Sequence, residues 1–316
     1  MSILICGSLA YDNIMVFPDY FKNHILPDKI HMMSVSFLVP EMRREFGGCA
    51  GNTAYSVKLL GNEPLILATA GSDFTPYAAR LDELGIRRDG IKVLDEHFTG
   101  QCFITTDLDD NQIAAFHPGA MNHAQLVTVA DAPERPALAI VMPDGKQGMV
   151  EHTEQLAAAG IPFIFDPGQG LPLFNGNELL HLIELADYLT LNDYEAEMVL
   201  QKTGLTLDTL ASKVKALVVT LGAAGAHIYA DGVRHDIPAV PASAVVDPTG
   251  CGDAFRAGLL HGLTHGWAWP QTGRLASLLG SLKIAQRGAQ NHHFTAASIR
   301  SAYEAAFGES WPSTQR

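Results

Sequence analysis

The stretch Asp247-Pro248-Thr249-Gly250-Cys251-Gly252-Asp253-Ala254-Phe255-Arg256-Ala257-Gly258 joins a glycine-rich turn to an apolar helix and sets a carboxylate at the joint. Glycines leave backbone N–H groups open to an anion, and the positive end of a helix favours that anion. A carboxylate in that position is suited to take a proton from an alcohol while the N–H groups hold a phosphoryl group in transit. A tight loop with an N-cap aspartate would use some of the same residues. The combination of Asp247, Thr249, Gly250, Gly252 and Asp253 goes beyond that need and points to phosphoryl transfer.

Outward from this run, short apolar segments alternate with amphipathic ones, the pattern of an α/β fold in which helices flank a central, mostly parallel sheet. Strands are expected at Ile3–Cys6, Leu65–Ala68, Ala139–Met142, Phe163–Phe165 and Leu217–Thr220, and Tyr188–Leu191 is a further short, strand-like run. Helices are expected near 50–61, 74–85, 147–159, 193–202, 206–215, 252–265, 270–286 and 295–307, with Gly61, Gly85, Gly160 and Gly266 placed as C-terminal stops. Two segments break the rhythm. Met33, Val35, Phe37 and Val39 alternate with Ser34, Ser36 and Leu38, a period-two strand over 31–39. The runs Gly100–Thr106 and Gln112–Phe116 flank Asp109-Asp110-Asn111 and read as a β-hairpin. These strands predict a small β-sheet lid, inserted at about 14–46 and 97–118 of a single domain spanning 1–316. Such a sheet, apolar on one face, serves as a lid or as the surface of a homodimer.

Lys and Arg number 21 against 34 Asp and Glu, a net charge of −13 that disfavours nucleic acid as the main partner. The four cysteines show no C-x-x-C spacing, which fits a reducing compartment. Neither a signal-peptide pattern at the start nor an apolar run of membrane-spanning length is seen, so a cytoplasmic protein without a membrane partner is expected.

Four further segments are candidates for binding. Gly47 and Gly48, ahead of a helix that begins near Ala50, suit a hinge, and Asn52 could offer its amide to vicinal hydroxyls; an ordinary strand–helix turn explains the glycines equally well. Asp12-Asn13 combines a carboxylate and an amide, as a polyol site requires, although the same pair commonly forms a turn. Asn192 and Glu195 lie one helical turn apart and fit either oxygen ligation of Mg²⁺ or a capping box. Thr220, Gly222 and Gly225 follow a strand where α/β folds bind nucleotides, and a β-hairpin would place glycines there too. The G-x-x-x-x-G-K-[ST] and G-x-G-x-x-G phosphate loops, protein-kinase motifs and zinc spacings are absent.

Taken together, the chain resembles the PfkB/ribokinase family of small-molecule kinases over nearly its whole length. The Gly47-Gly48 region is similar to the family's N-terminal signature, Asn192 with Glu195 to its N-x-x-E motif, and Asp247–Gly258 to its C-terminal signature, in the expected order. Cys251 stands where relatives often carry Ala, and Pro248 where Thr is frequent. The resemblance implies a ribokinase-like fold with ATP as phosphoryl donor. It makes Asp253 the general base and the N–H groups of Gly250, Cys251 and Gly252 the anion hole. Asn192 and Glu195 would organise Mg²⁺ near the ATP site, Glu195 through water. Many members also need a monovalent cation beside the anion hole, which makes Asp247 and Thr249, with the backbone near Gly288, candidates to hold K⁺.

The apolar and aromatic residues Tyr11, Phe17, Met33, Phe37 and Phe116 suit a nucleobase better than a bare sugar, although packing of lid against lid would also use them. Only His31, Arg43 and Arg44 supply basic groups nearby, which argues against a phosphosugar. The segments 112–121 and 165–169 look closer to adenosine and nucleoside kinases than to ribokinases. The expected activity is phosphorylation of a nucleoside 5′-hydroxyl, with adenosine or a broader purine set as acceptor. A ribose-like sugar kinase and a non-catalytic nucleoside or sugar sensor are the alternatives.

Overall fold

The computed structural model describes residues 1–25, 28, 32 and 34–314. Its strands are β1 (Ser2–Cys6), β2 (Ala10–Val16), β3 (Glu41–Gly47), β4 (Glu63–Gly71), β5 (Ile91–Leu94), β6 (Gly100–Thr106), β7 (Gln112–His117), β8 (Leu138–Val141), β9 (Phe163–Phe165), β10 (Tyr188–Asn192), β11 (Ala216–Thr220), β12 (Ala226–Ala230) and β13 (Val233–Ile237). The helices are α1 (Cys49–Leu59), α2 (Thr75–Glu83), α3 (Lys146–Ala158), α4 (Gly176–Leu185), α5 (Asp193–Thr203), α6 (Leu207–Ala211), α7 (Cys251–Thr264), α8 (Trp269–Ile284) and α9 (Ala296–Phe307).

Nine strands form the main sheet in the order β13-β12-β11-β10-β9-β8-β1-β4-β5. Pairing is parallel from β11 to β5, and β12 and β13 add an antiparallel edge. Strands buried on both faces read as unbroken apolar runs, because successive side chains serve opposite layers. In β1, Ile3 and Ile5 pack with α1, α2, α7, α8 and α9, whereas Leu4 and Cys6 pack with α3 to α6. Each such side chain removed from water contributes roughly 1.5–3 kcal/mol.

A second sheet of four strands, in the order β3-β2-β6-β7, grows from the C-terminal side of the main one. Its inner pair, β2 and β6, is parallel, and both edges are antiparallel. The expected strand over 31–39 is not present in the described part: residues 34–39 lie outside any strand, and the ladder is made by β3 instead. The alternation survives only in burial, with Val35, Phe37 and Val39 half-buried and Ser34, Ser36 and Leu38 exposed. His31 and Met33 lie outside the described residues. Phe17, Phe21 and Phe37 pack together with ring centroids 4.8–5.8 Å apart, so this stretch joins an aromatic cluster rather than a ladder. The hairpin turn is held by Asp107, whose carboxylate accepts from the N–H groups of Asp109, Asn111 and Phe21.

Chain passes from β3 into α1 through Gly48, which has φ +82°. A Cβ there would stand 2.5 Å from Ser8 O and 2.6 Å from Ala10 N, at the root of β2. The close approach leaves room for glycine alone. Gly48→Ala is expected to lower unfolding free energy by at least about 1–3 kcal/mol, measured by urea titration; an unchanged midpoint would show that the junction tolerates a side chain.

Candidate active site

In parallel α/β sheets, ligands gather beyond the carboxyl ends of the strands. Asp166 (after β9), Asn192 (end of β10) and Thr220 (end of β11) all stand there, and the N-terminus of α7 closes over the same edge. Gly250, the N-cap residue of α7, adopts φ +79° and is pressed against Ala289, whose Cβ a side chain would meet at 2.7 Å. Of the three amides expected to form the anion hole, that of Cys251 is not free. Its N–H donates to Pro248 O at 3.1 Å, because the chain makes a turn directly before the helix. The N–H groups of Gly250 and Gly252 find no acceptor among the described residues, and neither does that of Asp253, which the sequence reading left out. A helix start with open donors favours an anion.

Asp253 sits in the first turn of α7 and accepts a hydrogen bond from Asn52 Nδ2 at 2.8 Å on Oδ2. Burial pushes its carboxyl up to about 6, against the Asn52 hydrogen bond and the Arg256 guanidinium, which work to lower it. Asn52 is fixed in turn: its Oδ1 accepts from Gln290 Nε2 at 3.1 Å. Gln290 Nε2 also donates to Tyr77 OH at 2.7 Å, and Tyr77 OH donates to Gly47 O at 2.8 Å. Asn52 and Gly47 thus belong to one chain of contacts leading from the carboxylate to the second sheet. Gln290 and Tyr77 escaped the sequence reading, since nothing in their local pattern marks a polar network assembled from distant segments.

Arg256, in the second turn of α7, is buried among apolar neighbours and makes a bidentate pair with Asp166, Nε–Oδ2 at 2.8 Å and Nη2–Oδ1 at 3.1 Å. Its Nη2 also lies 3.9 Å from Glu195 Oε2. Asn192 and Glu195 form a full capping box for α5: Glu195 N–H donates to Asn192 Oδ1, and Asn192 N–H to Glu195 Oε2, each at 2.7 Å. Burial, with Asp166 nearby, raises the Glu195 carboxyl above its usual range. Its Oε1 has no hydrogen-bond partner among the described residues and is free to hold a water. No group of three or more His, Cys, Asp or Glu side chains is gathered as a metal cage among the described residues. That arrangement fits Mg²⁺, which keeps its waters and takes one or two carboxylates alongside substrate phosphates.

The Asp12-Asn13 pair is split by strand geometry. Neighbours on a strand face opposite sides, and both lie within β2. Asn13 is buried, its Oδ1 accepting from Arg44 Nε at 2.9 Å and its Nδ2 donating to Gln101 Oε1 at 3.3 Å, so its amide is spent inside the sheet. The Asp12 side chain makes no hydrogen bond among the described residues, and burial, with Asp247 and Glu45 nearby, pushes its carboxyl up to about 6. Gly47 makes room for it: a Cβ there would lie 2.6 Å from Asp12 Oδ2. Ladder pairing places Glu45, Asp12, Cys102 and Phe116 in one row across the second sheet, and Phe116 is 52% exposed. Tyr11 is fully buried with its hydroxyl on Asp73 O, and Phe17 and Phe37 face one another, so Phe116 alone among the described residues of the expected aromatic set is exposed.

Thr220 pairs with Asn192 across β10 and β11. Gly222 and Gly225 form the connection between antiparallel β11 and β12, as the hairpin alternative required. Gly222 has open space around it, which leaves the backbone approachable by a nucleotide. Asp247 is held by the amides of Thr249 and Gly288, which donate to its two carboxylate oxygens at 2.9 Å each. Its main-chain carbonyl accepts from Lys283 Nζ at 2.7 Å.

An anion-receptive helix start, a half-buried carboxylate beside it and a second sheet over the strand ends define a phosphotransferase with an alcohol acceptor. The chain belongs to the pfkB family of carbohydrate kinases, whose model matches residues 12–295. It is 54% identical to a Burkholderia thailandensis nucleoside kinase solved with inosine, with a TM-score of 0.89 and coverage of 98% of this chain and 99% of that one. The same enzyme with ADP-inosine gives 55% identity and a TM-score of 0.87, covering 99% and 98%. A nucleoside kinase of Methanocaldococcus jannaschii is 30% identical over 87% of this chain and 89% of its own length. The nine-stranded main sheet and its accessory sheet are therefore a ribokinase-like fold.

Removing the Arg256 guanidinium would leave Asp166 buried without its partner. Arg256→Met is expected to lower stability by about 3–5 kcal/mol in denaturant titration; a loss below about 1 kcal/mol would mean that water reaches the pair.

Proposed function

We propose that this protein is an ATP-dependent nucleoside kinase that phosphorylates the 5′-hydroxyl of adenosine or of a broader purine nucleoside set. The observation that carries the reading is the Asp253 carboxylate, fixed by Asn52 beside the open amides of Gly250, Gly252 and Asp253. The nucleoside kinases to which the chain is similar, one solved with inosine and with ADP-inosine, support the choice of acceptor. Within the site, Phe116 offers an aromatic face, and Asp12, in the same cross-strand row, has free acceptor oxygens for ribose hydroxyls.

Asp253 takes the proton of the acceptor hydroxyl, whose oxygen attacks the γ-phosphorus. The bond from that phosphorus to the bridging oxygen breaks and ADP leaves. Gly250, Gly252 and Asp253 N–H groups, at the positive end of α7, hold the phosphoryl oxygens as charge spreads over them. Asn192, Thr220, Gly222 and Gly225 border the nucleotide, and Glu195 would hold Mg²⁺ through water, the ion supplying neutralisation of phosphate charge when bound. The second sheet acts as a lid over the acceptor, and its fold-back through Gly47 and Gly48 excludes water that would compete for the phosphoryl group. On the opposite face of that sheet Met42, Phe103 and Ile113 are exposed. Apolar groups of this kind suit contact with a second copy of the chain, so a homodimer through the lid is proposed.

A coupled ADP-release assay with Mg²⁺ should show faster turnover with adenosine or inosine than with ribose or fructose. The reverse order would make the protein a sugar kinase, and saturable nucleoside binding without ADP release would make it a sensor. Asp253→Asn should reduce kcat by about 10²–10⁴-fold while leaving nucleoside binding in calorimetry nearly intact; turnover within about tenfold of the parent would remove Asp253 from the base role. The base works ionised, so activity must fall as pH drops through its raised pKa. The acid limb of kcat/KM is expected near pH 6, where Asp253 and Asp12 both titrate, rather than near the usual carboxylate value of 3.8. A limb centred near 4 would show that the site is wetter than its geometry implies.

A further inference from the structure

The family resemblance led to the expectation of K⁺ held by Asp247, Thr249 and the backbone near Gly288, directly behind the anion hole. The residues at that place do not fit a free cation. Lys283, in the last turn of α8, has no exposed surface, and its ammonium donates to Asp247 O at 2.7 Å and to Gln286 O at 3.1 Å. A cation site of this type is made by backbone carbonyl oxygens that replace water around the ion. Here such oxygens converge, but a covalently attached positive charge already occupies them. The Asp247 carboxylate is equally committed, to the N–H groups of Thr249 and Gly288. A second monovalent cation at this point would face the ammonium's own charge.

We infer that Lys283 is a built-in substitute for the monovalent cation and makes phosphoryl transfer by this chain independent of K⁺. The ammonium ties together the three segments that meet under the anion hole. It bonds Asp247, six residues before Asp253, and Gln286, two residues before Gly288, from its own helix. The C-terminal carbonyl of Ile284 caps the same loop by accepting from the N–H groups of Val246 and Asp247 at 2.9 and 3.1 Å. A buried lysine is costly unless it is held in this way. The open amides of Gly250 and Gly252 then owe their position to a fixed charge in place of an exchangeable ion. Burial works to lower the Lys283 pKa, while Asp247 and Cys251 work to keep it charged.

The activity arm of the test rests on the kinase reading above; the stability arm does not. Initial rates and thermal midpoints are measured in potassium chloride and in tetramethylammonium chloride at equal ionic strength. For the parent protein both quantities are expected to be the same in the two salts. A rate or midpoint raised selectively by K⁺ would overturn the inference. Lys283→Ala removes the ammonium donor from the Asp247 and Gln286 carbonyls, so its midpoint should fall by about 2–4 °C and its rate by about tenfold. Potassium, but not the bulkier tetramethylammonium ion, should restore both. A variant that is equally impaired in the two salts would show that Lys283 is a packing residue, and would sink the proposal. If the variant does not fold, the parent comparison decides alone. If no nucleoside is phosphorylated under any condition, the kinase reading fails while the thermal comparison still decides the role of Lys283.

Discussion

The hydrogen bond between Asn52 Nδ2 and Asp253 Oδ2 is the contact on which the site depends. It joins α1 to α7, two helices nearly two hundred residues apart in the chain, and it fixes one oxygen of the half-buried Asp253 carboxylate. A carboxylate withdrawn from water is stabilised where a donor faces it. The same asparagine accepts from Gln290, Gln290 donates to Tyr77, and Tyr77 donates to the carbonyl of Gly47. The junction that carries the second sheet is thus wired to the proposed base. Four hydrogen bonds, passing through Asn52, Gln290 and Tyr77, connect Gly47 to the carboxylate.

Around that contact, charges are organised in two tiers. Behind the helix start, Lys283 and the Asp247 turn hold the loop from below. Beyond the strand ends, Arg256 connects Asp166 to the capping box of Asn192 and Glu195. The capping box and the proposed Mg²⁺ role do not compete, because helix capping uses one Glu195 oxygen and leaves the other open. A single carboxylate can therefore terminate a helix and still face the solvent of the cleft.

Much of this was legible from residues alone. The alternation of apolar runs gave the central strands and most helices within a few residues, and the glycine-rich run marked the start of α7. The failures have physical causes. Helix α4 was missed although Asn175 and Glu178 make a capping box, because the helix is only ten residues long and opens on Gly176-Asn177, residues that also suit a loop. Strand β3 carries Glu41, Arg43, Arg44 and Glu45, and a charged edge strand lacks the apolar alternation that the neighbouring 34–39 stretch displays. Asp12 and Asn13 read as a polyol site or a turn, and their place on a strand was missed because Asp and Asn are both disfavoured in strands. Arg256 and Lys283 were the readable signals left unused. A charged side chain in the midst of an apolar helical face requires a buried partner, and both residues have one.

The second sheet assigns different duties to its two surfaces. Asp12, Cys102 and Phe116 share one, while Asn13, Phe103 and Ile113 share the other. Because the side-chain period of a strand is two residues, a single-residue insertion ahead of Asp12 would turn its carboxylate off the face it shares with Cys102 and Phe116 and would lift Asn13 out of its bonds to Arg44 and Gln101. Length in this segment is therefore constrained more tightly than the identity of its exposed side chains.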